Sequence, residues 1–222
     1  MAGADELEEM PDSMHGAMSL DGDVDKLRTF YDDWASTYDA DVNINYGMPG
    51  MVVETLRQAV ASRTELSGIA EPHAHIIDAG CGTGAIGTEL AKAGWVNVHG
   101  IDLSHEMLKK AEERGVYASL TGGVDLTVPV GEELAATADA VTVGGVFTVG
   151  HVPPEALGVM ASIVRPGGVL AISVRDAYVA DTNFADVQQQ LCDTGALELL
   201  LLIEGAPYTM DSAGDYYAWK VL

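Results

Sequence analysis

From Ala74 onward the chain alternates short apolar runs with helical stretches, and that rhythm constrains the fold more than any other feature. The runs His75–Asp78, Val96–Asp102, Ala138–Val143 and Val169–Arg175 read as strands buried on both faces. Helical patterns near Ala85–Ala93, His105–Arg114 and Pro154–Ile163 separate them. Such an order predicts an α/β architecture in which a mainly parallel sheet is covered on two sides. Ser104 is placed to cap the second of these helices, and Gly115 lies just past its end. In Arg165-Pro166-Gly167-Gly168 the proline stops a helix and the glycines permit positive φ, so a turn launches the next strand. A further helix fits Asp181–Thr194. No helix fits between Ala196–Glu204 and Tyr216–Leu222, so these two predicted strands should pair antiparallel as a hairpin.

Ahead of this region, Val24, Leu27, Tyr31, Trp34 and Tyr38 recur at intervals of three and four residues, which marks one face of a helix. Asn43–Gly50 reads as a loop, and Gly50–Ser62 as a helix burying Val52, Val53, Leu56 and Val60. Residues 1–20 show no period and are rich in Met, Asp, Glu, Gly and Ser. They are expected to form a disordered acidic tail, leaving 21–222 as a single domain.

Charge limits the partners. The chain has 222 residues and a net charge of −23, with residues 1–41 carrying twelve acids against Lys26 and Arg28. Such a surface repels phosphate backbones and anionic membranes, and no basic run offers an exception. Nucleic acid and membrane are therefore excluded as expected partners. No apolar run reaches the ~18 residues needed to span a bilayer. The acidic start has neither a basic segment nor an apolar core, so it does not read as a secretion signal. Two cysteines, Cys81 and Cys192, are too few for a disulfide scaffold, which favours a reduced cytoplasmic setting.

The densest local signal is His75-Ile-Ile-Asp78-Ala-Gly80-Cys-Gly82-Thr-Gly84 ahead of a helix. A strand that enters a glycine turn and then a helix N-terminus lets a ligand touch backbone, with free N–H groups and the helix dipole facing it. Two ligands compete for such a turn. Gly82-Thr-Gly84-Ala-Ile-Gly87 satisfies G-x-G-x-x-G, and Asp102 lies 18 residues past Gly84, a spacing that suits an NAD-dependent dehydrogenase. Asp78 points the other way. A carboxylate two positions before the first glycine repels a pyrophosphate, whereas an ammonium or a sulfonium gains from it. S-adenosylmethionine has both cationic groups and no phosphate, so Asp78 favours the methyl donor.

The run Asp78-Ala-Gly-Cys-Gly-Thr-Gly84 resembles motif I of the class I S-adenosylmethionine-dependent methyltransferases. Val98-His-Gly-Ile-Asp102-Leu-Ser104 with Met107-Leu108 is similar to that family's second-strand motif, and Arg165-Pro-Gly-Gly168 to its turn before strand five. Tyr31-Asp-Asp-Trp34-Ala-Ser-Thr-Tyr38-Asp39 resembles the amino-terminal helix of a small-molecule branch. That branch includes ubiquinone/menaquinone-biosynthesis-like and Williams–Beuren-region methyltransferase-like proteins. The resemblance runs from about Val24 to Leu222. It implies a Rossmann-like three-layer sandwich whose seven-stranded sheet is mostly parallel, with the last strand inserted antiparallel. It also implies an N-terminal helical lid over about 21–62, in a monomer or homodimer.

Site residues follow from the resemblance. Gly80, Cys81, Gly82 and Gly84 would line the methionine part of S-adenosylmethionine, which leaves as S-adenosylhomocysteine. Asp102 would bind ribose, with Leu103, Ser104 and Met107 beside it and adenine. Asp125 and Leu126, after the third strand, would meet the adenine. Gly144, Gly145 and Val146 would border the methyl group. Tyr31, Trp34 and Tyr38 are either core residues or a cover on the donor. Tyr46, Phe147, Arg175, Tyr178 and Tyr208 would frame a small-molecule acceptor. Arg175 suits an anionic acceptor, but a surface ion pair accounts for it equally.

Methyl transfer needs a base only if the nucleophile must lose a proton. His151, past Phe147-Thr148-Val149-Gly150, is the candidate, and a histidine that merely shapes the loop before Pro153-Pro154 is the competing reading. His73 and His75 lack a third ligand nearby, which argues against zinc. A Cys81 nucleophile is unnecessary, because its place in the glycine turn is explained by backbone contact with the donor. Three classes thus remain in order of preference: a small-molecule methyltransferase, an NAD-dependent dehydrogenase, and a protein that binds the donor only to regulate a partner.

Overall fold

The computed structural model describes residues 16, 20, 22–42, 47–209 and 212–222. Apart from residues 16 and 20, the expected tail lies outside the described residues, as does Tyr46. One sheet of seven strands organises the rest. In chain order these are β1 (Ile76–Ala79), β2 (Val98–Asp102), β3 (Ser119–Gly122), β4 (Ala138–Phe147), β5 (Val164–Arg175), β6 (Leu197–Pro207) and β7 (Ala213–Val221). They lie side by side in the order β3-β2-β1-β4-β5-β7-β6. The first five are parallel, and β7 runs antiparallel between β5 and β6. This is the Rossmann-like sheet that the resemblance implies.

Continuous apolar runs are explained by alternation of side chains to two separate cores. Ile76, Ala140, Val169 and Ala171 face α3 (Met48–Ala61) and α4 (Ala85–Lys92). Their neighbours Ile77, Val141, Leu170 and Ile172 face α6 (Ala156–Ile163) and the start of α8 (Phe184–Asp193). Each Val, Leu or Ile among them, fully withdrawn from water, stabilises the fold by about 1.5–3 kcal/mol before entropy is counted. Loss of either layer of helices would leave one set exposed.

Local chemistry sets several boundaries that differ from the sequence reading. The aromatic stripe is not one helix. α1 (Val24–Trp34), capped by Asp23, ends at Ala35, and Tyr38 begins a separate short α2 (Tyr38–Asp41). Asp41 holds the corner by accepting from Trp34 Nε1 at 2.7 Å and Thr37 Oγ1 at 2.8 Å. α3 begins at Met48, inside the expected loop, because Pro49 is tolerated in a first helical turn. The expected helix over Asp181–Thr194 is present as α8, starting three residues late, and an unexpected α7 (Asp176–Asp181) precedes it. Thr182 is extended and offers its hydroxyl to the Tyr178 carbonyl, which ends α7. Arg165–Gly168 forms a bulge within β5 rather than a turn before it: Ala138 pairs with Val164, then Ala140 with Val169. α5 (His105–Glu113) carries the Ser104 cap as expected, with Ser104 Oγ accepting from Met107 N at 3.0 Å.

Candidate functional site

Carboxyl ends of parallel strands diverge into a crevice where loops reach opposite sides, and ligands bind there in open α/β sheets. Here the crevice lies between the turns after β1, β2 and β4. Gly80, at φ +68°, has its N–H and that of Cys81 on the Ile101 carbonyl, so the turn is tied to the end of β2. A Cβ on Gly80 would stand 2.5 Å from Val146 Cγ2, which leaves glycine as the residue that fits. Gly82 (φ +53°) and Gly145 (φ +77°) differ from it. A Cβ on Gly82 meets nothing within 4 Å, and one on Gly145 meets Met48 Cε alone, at 3.8 Å. Both positions line the crevice, so their bare backbones are open to a ligand.

Asp102, the last residue of β2, joins the two turns. Its Oδ2 accepts from Gly82 N and its Oδ1 from Ser104 N, each at 2.8 Å. Burial pushes its carboxyl above the usual range, against the pull of those amides. Leu103, Met107, Val124 and Leu126 line the same crevice with apolar side chains, and Asp125 lines it with a second carboxylate. Asp125 Oδ1 is held by the Thr127 amide at 2.8 Å and its hydroxyl at 2.6 Å.

The opposite wall comes from the chain's start. Val24, Leu27, Tyr31 and Tyr38 face the crevice from α1 and α2. Polar contacts fix these helices to the sheet domain. Asp32 Oδ1 accepts from Ser104 Oγ at 2.6 Å, and Asp39 pairs with Arg114 at 2.7 Å. Arg114 Nε also reaches the Thr83 carbonyl of the glycine turn at 2.5 Å. Tyr31 Oη lies 2.5 Å from His151 Nε2. His151 Nδ1 lies 3.2 Å from the Val149 carbonyl, which can only accept, so Nδ1 carries the proton and Nε2 receives the phenol's. Burial holds this imidazole below its ordinary pKa. It is therefore neutral at neutral pH.

Other residues expected in the site stand elsewhere. Asp78 is fully buried behind the glycine turn, with Oδ2 accepting from Tyr117 Oη at 2.7 Å and Oδ1 from Thr142 Oγ1 at 3.1 Å. Burial pushes its carboxyl up to about 6. The carboxylate expected at the turn's mouth is thus bound inward. Cys81 is also buried, its Sγ where a Cβ on Gly100 would lie, and burial raises its thiol pKa. Gly84 (φ +89°) begins α4, packed against Tyr117 and Arg114. Ser104 is 1% exposed and serves as the helix cap. Trp34 is buried among Phe30, Tyr31 and Tyr38. Phe147 and Tyr178 belong to the core with Phe184, not to the cavity wall, and Tyr178 Oη donates to the Val152 carbonyl at 2.8 Å. None of these seven residues is in the crevice wall.

Arg175 and Tyr208 lie beside the crevice at the end of β5. The Arg175 guanidinium stacks over the Tyr208 ring, 5.7 Å from its centre. Asp176 and Asp215 are near, but neither forms an ion pair with Arg175. Asp176 is held above the usual carboxylate range by burial first and by Asp215 second. The sequence reading missed Tyr117, whose ring fills the space beside Gly87 and Gly100, and Asp32, which anchors α1. Val24 and Leu27 carried a signal, the helical stripe, but were not read as wall residues.

Tyr117 also removes the support for a dinucleotide. A Cβ on Gly87 would lie 2.2 Å from the Tyr117 ring, so the third glycine makes room for an aromatic side chain and not for a pyrophosphate. Among the described residues of the crevice wall, two are aspartates and none is Lys or Arg. A doubly charged diphosphate gains nothing there. The comparisons agree: residues 77–172 match the methyltransferase domain family model. Residues 77–172 carry a methyltransferase domain. The chain is 36% identical over 165 residues to human methyltransferase-like protein 27, covering 72% of this chain and 59% of that protein. It is 39% identical over 102 residues to the ubiquinone biosynthesis O-methyltransferase of Ralstonia nicotianae, covering 42% of this chain and 40% of that enzyme. The chain thus spans less than two thirds of the length of either curated relative. A crystal structure of magnesium protoporphyrin IX methyltransferase from Synechocystis with bound S-adenosylhomocysteine shares the fold. It has a TM-score of 0.57 and 20% identity, covering 78% of this chain and 83% of that one.

Proposed function

We propose that this protein transfers a methyl group from S-adenosylmethionine to a small-molecule acceptor by in-line displacement. One observation carries the reading: a buried-edge carboxylate, Asp102, shares a cation-free crevice with two bare backbone positions, Gly82 and Gly145. The bound donor supplies a methyl on a sulfonium that is already a good leaving group, so proximity and alignment are what remain for the protein to provide. Asp102 would accept from the ribose hydroxyls with the lone pairs its two amide partners leave free. Leu103, Met107 and Leu126 would hold the adenine, and Asp125 would accept from its amino group. Gly82 and Gly145 would let the methionine portion and the methyl approach the backbone. α1 and α2 act as a lid that keeps water out, whereas α3 packs in the core on the sheet, so the expected cover over 21–62 narrows to its first two helices.

His151 is the base where the acceptor must lose a proton. An acceptor O–H or N–H donates to Tyr31 Oη, and the phenol passes its own proton to the neutral Nε2 of His151. The Val149 carbonyl holds the imidazole in the tautomer that allows this. A small acceptor fits a chain of net charge −23, which resists nucleic acid. It also fits the ubiquinone and porphyrin chemistry in the names of the similar enzymes. Calorimetry with S-adenosylhomocysteine and with NAD tests the reading. Binding of the adenosyl ligand at one site with no heat from NAD is expected. Binding of NAD with no response to the adenosyl ligand defeats it.

A further inference from the structure

Ten of the eleven Lys and Arg side chains form ion pairs with carboxylates among the described residues. Arg175 is the exception. In a chain with 34 acids, a guanidinium without a carboxylate is the unusual case. It is half-buried, so it does not enjoy full hydration either. Its five N–H donors have no hydrogen-bond acceptor among the described residues, and its one specific contact is the face of Tyr208. Among the described residues, the surface ion pair that would make Arg175 unremarkable is not formed.

A second group nearby is also unsatisfied. Tyr208 is 4% exposed, and its hydroxyl has no hydrogen-bond partner. A buried hydroxyl of this kind costs about 1–3 kcal/mol unless something pairs with it. Its Oη lies beside Ser173 Oγ and the Gly145 amide without closing a bond to either, and Gly145 lines the crevice. The ring is deliberately accommodated, since a Cβ on Gly214 would stand 2.6 Å from it. Two donors, one cationic and one neutral, therefore stand behind Gly145, next to the crevice wall but not part of it, with no acceptor for either among the described residues.

We infer that Arg175 and Tyr208 form the anion subsite of the acceptor, and that the acceptor carries a carboxylate. The inference rests on the methyl-transfer reading for the acceptor's place in the crevice. A guanidinium fork matches the two oxygens of a carboxylate, and its single positive charge balances that group's single negative one. A phosphate monoester brings about −1.5 to −2 at neutral pH and would need a second cation, which the wall lacks. Long-range repulsion from the acidic surface is screened beyond about 8–10 Å in ordinary salt, so a contact pair at this site survives it.

Calorimetric titration of the full chain, with and without S-adenosylhomocysteine, tests the subsite. The probes are benzoate and hexanoate against benzamide and hexanamide. The acids are expected to bind at least roughly tenfold more tightly than the amides. Arg175→Gln should bring that ratio close to one, Arg175→Lys should leave it in between, and Tyr208→Phe should weaken the acids a few-fold. Thermal unfolding of each variant checks that it folds, and the Lys variant keeps the test alive if the Gln variant does not. Equal binding of acid and amide, an unchanged ratio in Arg175→Gln, or tighter binding of phenyl phosphate than benzoate overturns the inference. Acid preference with no heat from S-adenosylhomocysteine would instead defeat the methyl-transfer reading and leave the anion subsite standing.

Discussion

The two halves of the sheet are built differently. On the β3-β2-β1 side the strands are 4, 5 and 4 residues long and end in turns that present backbone to the crevice. On the other side β4, β5, β7 and β6 run 10, 12, 9 and 11 residues. There, besides the bare backbone of Gly145 near the end of β4, the crevice is met by side chains that arrive from distant segments, such as Tyr31 and His151, 120 residues apart. Backbone recognition demands glycine at fixed, closely spaced positions. Side-chain recognition demands only that the fold bring unlike residues together. The first half can therefore bind one ligand across many relatives, while the second can change its ligand without changing the fold.

The sharpest way to break this contrast is to put side chains where backbone should be. Gly80→Val places its Cβ against Val146 at a φ of +68°. We expect it to cost about 3 kcal/mol or more in urea unfolding and to abolish S-adenosylhomocysteine binding. A well-folded variant with normal affinity would show that the donor half is not governed by backbone space. Next in size is the buried carboxyl behind that turn. Asp78 titrates near about 6 in the folded chain, against 3.8 for an ordinary aspartate. Between about pH 4 and about pH 6 the native state keeps a proton that the unfolded state has released. Its contribution to stability is therefore full below about pH 4, falls as pH rises through about 6, and is level above that. The change is about 2–3 kcal/mol. Asp78→Asn should flatten it, and a wild-type-minus-variant difference that stays constant from pH 4 to pH 7 would contradict the assignment.

Asp102→Ala should weaken S-adenosylhomocysteine binding by about 1–3 kcal/mol through lost bonds to a charged acceptor. It also releases Gly82 N and Ser104 N, so some of that loss reflects a looser turn. Unchanged affinity by calorimetry would remove Asp102 from the donor site. The smallest effect belongs to the other half. Tyr31→Phe removes the hydrogen bond to His151, which should lower stability by about 1 kcal/mol in urea. A loss as large as that of Gly80→Val would mean that the side-chain half is as tightly specified as the backbone half.

The same contrast decides what the sequence disclosed. The parallel sheet, the glycine turn and the Ser104 cap were legible because each is signalled within a dozen residues. Tyr117 was not, because its partner Asp78 lies 39 residues earlier and nothing near Tyr117 hints at a buried carboxyl. Gly87 kept the dinucleotide alternative open for the same reason, since a glycine that clears a ring is spelled like one that admits a pyrophosphate. Phe147 and Tyr178 were read as acceptor contacts from their place after strands, yet their bulk packs with Phe184 in the core. The short α7 was not read at all, since six residues between a strand and Thr182 are too few for a helical period to show. Arg175 left two readings open, because only the folded chain shows that no described carboxylate pairs with it.

The placement of β7 has a consequence for biosynthesis. It is the final described element in the chain, yet it occupies an interior position of the sheet, hydrogen-bonded to β5 on one side and β6 on the other. While a nascent chain is still emerging from the ribosome, β5 therefore presents an uncovered apolar edge with nothing to pair against. Such an edge invites association with other chains. Synthesis of this protein should lean on early chaperone capture, and ribosome stalling just before residue 213 should make it aggregate.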